Sequence, residues 1–228
     1  IRNLQILQKI NSKPSVKTVL LILVVTPGGR YPPKSRNSII ASMKNKQIIL
    51  LGLFCTLVLT LTIRGRLGNF TASDLLTSHW TKGGPFELSV ERGRFAITLS
   101  LVEDRSFHFS LPIARFATPD LGYKNSKYVS LFAPGLSFLL IPGYLIGKYL
   151  GAAQVGSYAI ISLFALVNCL IIYLICRRLG ASQAASASAG LIFLFATPAF
   201  PYAVSLYQHH LSTLLTLASL YLLVRFKS

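Results

Sequence analysis

Four long apolar runs punctuate the chain, at about 48–63, 153–176, 184–199 and 211–224. Each approaches the length a helix needs to cross roughly 30 Å of hydrocarbon. A fifth stretch, 131–150, is apolar but interrupted by Pro134-Gly135 and Pro142-Gly143, with Lys148 near its end. A proline inside a helix removes a main-chain donor and clashes with the preceding turn. The pattern therefore predicts a broken interfacial or re-entrant segment over 131–150, supported by protein. Residues 64–130 form a polar loop, within which 90–103 has helical periodicity: Phe95, Leu99 and Val102 share one face. Ser89 suits the N-cap and Glu91 the positive end of that helix. Such a helix fits a membrane surface. The expected fold is all-α: a polytopic transmembrane helix bundle with a large extracytoplasmic first loop containing amphipathic juxtamembrane helices.

Composition strengthens the membrane reading. The chain is 52% hydrophobic and 13% charged with a mean hydropathy of +0.57, whereas soluble domains carry about 25% charged residues. A net charge of +17 raises nucleic acid as a partner. The cations, however, sit singly or in pairs beside apolar runs, and no basic stripe forms, so nucleic acid is excluded. Lys44/Lys46, Arg177/Arg178 and Arg225/Lys227 all fall on one side if 131–150 does not cross. The positive-inside rule then places the N-terminus in the cytoplasm of a multi-pass plasma-membrane protein. Arg64 and Arg66 follow the first run where a signal peptide would have a small-residue cleavage site, which favours an uncleaved span.

All six acidic residues lie between Asp74 and Asp120, together with Trp80, which suits an aromatic belt. Residues 1–42 are acid-free, basic and broken by Pro27-Gly28-Gly29 and Pro32-Pro33. The single Met, Met43, precedes a lysine pair and the first run. This segment reads as upstream translation or a misassigned start; a basic cytoplasmic tail is the alternative. Cys55, Cys169 and Cys176 lie in apolar runs without metal or disulfide spacing. The small residues from Ala184 to Gly190 suit close helix packing.

Two polar stretches carry the candidate chemistry. One runs through Glu91-Arg92-Gly93-Arg94, continuing to Glu103-Asp104-Arg105; the other holds Asp120, Lys124, Lys127 and Tyr128. Guanidinium groups grip phosphate oxygens as a fork and lysines as point charges, while a carboxylate can take a proton from a hydroxyl. Plainer readings compete at each position. Glu91 suits a helix start, Asp120 a turn after Pro119, Lys124 and Lys127 lipid headgroups, and Glu103 to Arg105 a solvated helix end. His209-His210 lies beside Tyr202 and Tyr207. Neighbours on a helix point about 100° apart, so the pair is a weak metal motif, and interfacial packing competes with substrate binding.

The order of these features resembles the GT-C superfamily of membrane glycosyltransferases, of the bacterial protein O-mannosyltransferase and lipid A aminoarabinose transferase type. The resemblance rests on the segments from Glu91 to Phe107, Asp120 to Gly147 and Tyr173 to Gly180, and spans about 47–228. It implies an enzyme that moves a sugar from a polyprenyl-phosphate carrier to a hydroxyl on protein, lipid or glycan at the outer face, among membrane lipids. It implies Glu91 as catalytic base and Asp120 orienting the acceptor or a divalent cation, the one cofactor considered. Arg92 or Arg94, with Lys124 or Lys127, would hold the carrier phosphate, and Tyr128, His209 and His210 would also face substrate. The family usually has Asp, often Asp-Glu, where this chain has Glu91-Arg92; the longer side chain shifts the carboxylate by about an ångström. The family's later spans and C-terminal domain have no counterpart here, so the expected enzyme is a truncated form. A non-catalytic membrane scaffold or polyprenyl-lipid-binding protein is the alternative function.

Overall fold

The structure, a computed structural model, describes residues 38–77 and 84–226, with side chains from residue 48 onward. Most of the 1–42 segment and Trp80 lie outside the described residues. The described chain is mostly helical. In order it forms α1 (Ser38–Thr62), a short 3-10 turn (Asp74–Leu76), α2 (Ser89–Leu99) continued by a π-helical turn (Ser100–Asp104), β1 (His108–Phe109) and α3 (Leu111–Ala117). Then come β2 (Leu121–Lys124), β3 (Lys127–Ser130), α4 (Gly135–Tyr149), α5 (Ala153–Arg178), α6 (Gln183–Phe195), α7 (Ala199–Ala203) and α8 (His209–Phe226). Among the described residues one helix, α5, is long and apolar enough to cross a membrane; the apolar parts of α1 and α6 are shorter.

The other long helices are arranged around α5. Arg66 N–H donates to Gln154 Oε1 at 3.0 Å near the start of α5, while Ile48 and Tyr173 line one cavity farther along. So α1 runs antiparallel to α5, leaving an apolar space of about 280 Å³ between α1, α5 and α6. Asn168 of α5 bonds His210, and the Arg178 guanidinium lies 5.4 Å from the Tyr221 ring. Hence α8 runs parallel to α5, and Arg177, Arg178 and Arg225 gather at one end. Gly190 of α6 faces the Cys169 carbonyl; a Cβ there would sit 3.1 Å from it.

Two expectations from the sequence are corrected here. Residues 131–150 contain no break at Pro142, because α4 continues through it. Pro142 is exposed, and Gly143 and Gly147 on the buried side let α4 lie directly on α5. The backbones meet so closely that a Cβ on Gly143 would fall 2.3 Å from the Gly156 carbonyl oxygen. The lost hydrogen bond is thus offset by packing. Second, α2 does not lie on a surface as an amphipathic helix: every residue from Gly93 to Ser100 is buried. Phe95 packs on Phe70, Phe86 and Tyr144. On the α4 side, Ser137 Oγ donates to the Arg94 carbonyl at 2.9 Å and Thr98 Oγ1 to the Ser137 carbonyl at 3.1 Å.

Smaller differences have local causes. α6 ends at Phe195, short of residue 199, because Thr197 precedes Pro198 and that position disfavours helical ψ. Ser89 does not cap α2; its hydroxyl bonds Asp120 instead. Residues 121–130 form a hairpin, which the helical reading omitted. Asn125 and Ser126 have φ of +51° and +61°, the two-residue turn that matches strand twist. β1 pairs with β3 to complete a three-stranded antiparallel sheet.

Candidate functional site

α2 divides the residues singled out from sequence. Glu91 and Arg94, three apart, share a face, whereas Ser89 and Glu91, two apart, point roughly 200° from one another. On the first face the Glu91 carboxylate has no exposure at all. Its Oε1 accepts the Leu206 N–H at 2.8 Å and its Oε2 the Glu87 N–H at 2.6 Å. A charge removed from water needs such charge-assisted bonds to be tolerated.

Arg94, 6% exposed, grips the same strand of chain from the other side. Its Nη1 donates to the Leu206 carbonyl at 3.1 Å and its Nη2 to Gln208 Oε1 at 3.1 Å. The guanidinium lies 5.6 Å from the Phe132 ring centroid and 5.8 Å from that of Tyr207. Both main-chain polar groups of Leu206 are therefore held by α2, and the segment 204–208 is strapped across it. Burial lowers the Arg94 pKa, opposed by Tyr207 and Glu91; a guanidinium remains a cation regardless. Partial burial first, then the charge of Glu91, raises the Tyr207 hydroxyl.

Around this pair sit residues that the sequence reading missed. Tyr158 of α5 is fully buried, its ring 6.0 Å from Phe86, and its hydroxyl has no hydrogen-bond partner among the described residues. Gln154, one turn earlier, is equally buried, and its Nε2 has no partner among the described residues. A polar pair at i, i+4 within an apolar run was the available signal. Arg64 pairs with Glu87 at the wall of an open cavity of about 440 Å³, lined also by Gly65, Arg66, Gly84 and Pro85.

The other candidates lie elsewhere. Asp120 accepts the Ser89 hydroxyl at 2.5 Å on the far side of α2 from Glu91, and Arg92 Nη2, about 100° round the helix from Glu91, donates to the Thr118 carbonyl at 3.1 Å. Among the described residues no three His, Cys, Asp or Glu side chains converge. Lys124 and Lys127 face each other at the exposed hairpin tip, roughly 10 Å along β3 from Ser130, near which the hairpin meets α2. Tyr128 lies tilted against Tyr123 with centroids 5.0 Å apart, and it also packs against the core. His210 is buried: its Nε2–H donates to the Ala199 carbonyl at 2.8 Å, and Asn168 Nδ2 donates to its Nδ1 at 3.2 Å. His209 is exposed beside Tyr202 and Tyr207.

The described geometry thus unites Glu91, Arg94, Tyr158, Tyr207 and, at the surface, His209. It leaves Asp120 with Arg92, and Lys124 with Lys127, as separate groups. No protein-family model matches this chain, and no curated protein or solved structure matches it either.

Proposed function

We propose that the chain is a multi-pass plasma-membrane protein of the GT-C type, which moves a sugar from a polyprenyl-phosphate carrier to a hydroxyl acceptor at the outer face. In this reading α1, α5, α6 and α8 are the spans, with Arg177, Arg178 and Arg225 cytoplasmic. The region from Arg64 to Leu150 is the outer layer, and α4 lies against α5 without crossing. One observation carries it: a buried carboxylate, a buried guanidinium, the buried Tyr158 and the half-buried Tyr207 gather where the polar layer meets the apolar helices. Each Glu91 oxygen accepts one N–H, which leaves each a lone pair for a proton. Access to it requires the strap 204–208 to swing off α2, a gating movement of the kind that excludes water from transfer chemistry.

A second reading, a non-catalytic scaffold or polyprenyl-lipid binder, is favoured by the same bonds: both Glu91 oxygens already hold main-chain groups as a clamp. Transfer of labelled sugar from a polyprenyl-phosphate hexose by the purified chain in proteoliposomes separates the two. The enzyme reading expects transfer by the native chain and none by Glu91→Gln. No transfer by either, with carrier still bound, supports the binder. Topology is tested separately with single cysteines in spheroplasts. Asp120→Cys is expected to label from outside and Gly180→Cys is not; outside labelling at 180 means that α4 crosses the membrane.

A further inference from the structure

We propose that Tyr202, Tyr207 and His209 form the platform on which the sugar ring of the carrier stacks; this rests on the glycosyl-transfer reading and assigns that reaction's sugar subsite. The platform is a product of chain path. α7 ends at Ala203 and α8 begins at His209, so the short strap between them brings one ring from α7, one from the strap and one from α8 to a single corner. The centroids of Tyr202 and His209 are 4.3 Å apart, those of Tyr202 and Tyr207 5.7 Å, and those of Tyr207 and His209 5.8 Å with near-parallel planes. Tyr202 and His209 are exposed and Tyr207 is half-buried.

The chemistry of this corner matches a sugar. A pyranose presents C–H faces that pack on aromatic rings and a rim of hydroxyls that need hydrogen-bond partners. The corner supplies both. Neither tyrosine hydroxyl nor the His209 ring nitrogens bonds another group among the described residues, so three polar edges border the rings. The Tyr207 hydroxyl keeps its proton, since burial and the Glu91 charge oppose ionisation, and it serves as a donor. A polyprenyl tail would use the rings and leave those edges idle.

Position adds the second argument. Tyr207 follows Leu206, whose N–H is held by Glu91 and whose carbonyl is held by Arg94, and the Tyr207 ring itself packs on the Arg94 guanidinium. The inner edge of the platform is therefore fixed against the carboxylate that the reading casts as base. A ring seated there lies one residue along the strap from the Leu206 N–H that Glu91 holds, and the strap that carries the platform is the same one that must move to uncover the carboxylate. Preorganised aromatic walls with a few polar groups are how small-ligand sites gain orientation.

The test uses the full chain in nanodiscs and two probes, undecaprenyl phosphate and undecaprenyl-phosphate hexose. The native protein is expected to prefer the sugar-bearing probe by about tenfold, the scale of a good aromatic contact. Tyr202→Ala and His209→Ala are expected to bring the two probes to near parity while binding of bare carrier is unchanged. Tyr202→Phe, which keeps the ring, is expected to retain most of the preference. Both alanine sites are at the surface, and unchanged melting temperatures check the fold. A preference that survives both alanine changes overturns the platform. So does equal weakening of both probes, which marks a membrane anchor only. Binding of both probes without preference overturns the platform and leaves the carrier reading intact. Binding of neither probe overturns both.

Discussion

Alanine in place of Glu91 is expected to destabilise the chain by about 2–6 kcal/mol, the cost of two buried main-chain donors left unmade at about 1–3 kcal/mol each. The substitution strips the acceptor from two main-chain donors, Leu206 N–H and Glu87 N–H, at once. It also leaves the Arg94 cation in a site with little access to water. Glu91→Gln keeps one oxygen but turns an amide N–H₂ toward a main-chain donor, so about 1–3 kcal/mol is expected, the cost of one unmade buried bond. Thermal melting in detergent micelles reads both values. Because Glu91 and Arg94 hold the same residue, their effects should not add: a double-mutant cycle with Arg94→Ala is expected to show coupling of about 0.5–3 kcal/mol. Lys127→Ala, at the exposed hairpin tip, is expected to change stability by less than about 0.5 kcal/mol. Additive losses from Glu91 and Arg94 would mean that the strap is held elsewhere.

The second large effect concerns the α4–α5 contact. A Cβ on Gly156 would lie 2.1 Å from the Gly143 carbonyl oxygen, and one on Gly143 2.3 Å from that of Gly156. Neither atom is the end of a flexible side chain, so the helices must separate. Gly143→Ala and Gly156→Ala are each expected to cost about 1–3 kcal/mol, as overpacking does, with leucine costing more. Gly52→Ala is the control of opposite sign. Among the described residues no neighbouring atom lies within 4 Å of its added Cβ, so alanine there gains up to about 1 kcal/mol from helix propensity. Equal behaviour of all three variants in micelle melts would show that α4 does not pack on α5 as described. The outcome bears on function too, since α4 supplies Ser137, which bonds the Arg94 carbonyl beneath the site.

How far the sequence alone reaches can be judged from particular residues. Its apolar runs coincide with α1, α5, α6 and α8, because helix formation over such lengths follows from local periodicity and side-chain hydrophobicity. The sharing of a face by Glu91 and Arg94 was equally legible, since spacing on a helix is a local property. The Asn125-Ser126 turn between Gly122-Tyr123 and Tyr128-Val129 was legible as a hairpin signal, yet the helical reading of the region passed over it. For His209 and His210, geometry along one helix required the two rings to diverge. Only the packing of α8 against Asn168 and Ala199 decided that His210 turns inward and His209 outward. Pro142 shows the converse: its local penalty argued for a break, and the glycine contact with α5 overrode it. Tertiary structure alone decided what Glu91 touches. Its partner Leu206 lies 115 positions away, and no periodic pattern relates two segments so distant. Their meeting depends on how α5, α7 and α8 pack, and that arrangement closes the strap over α2 and sets the aromatic corner beside it.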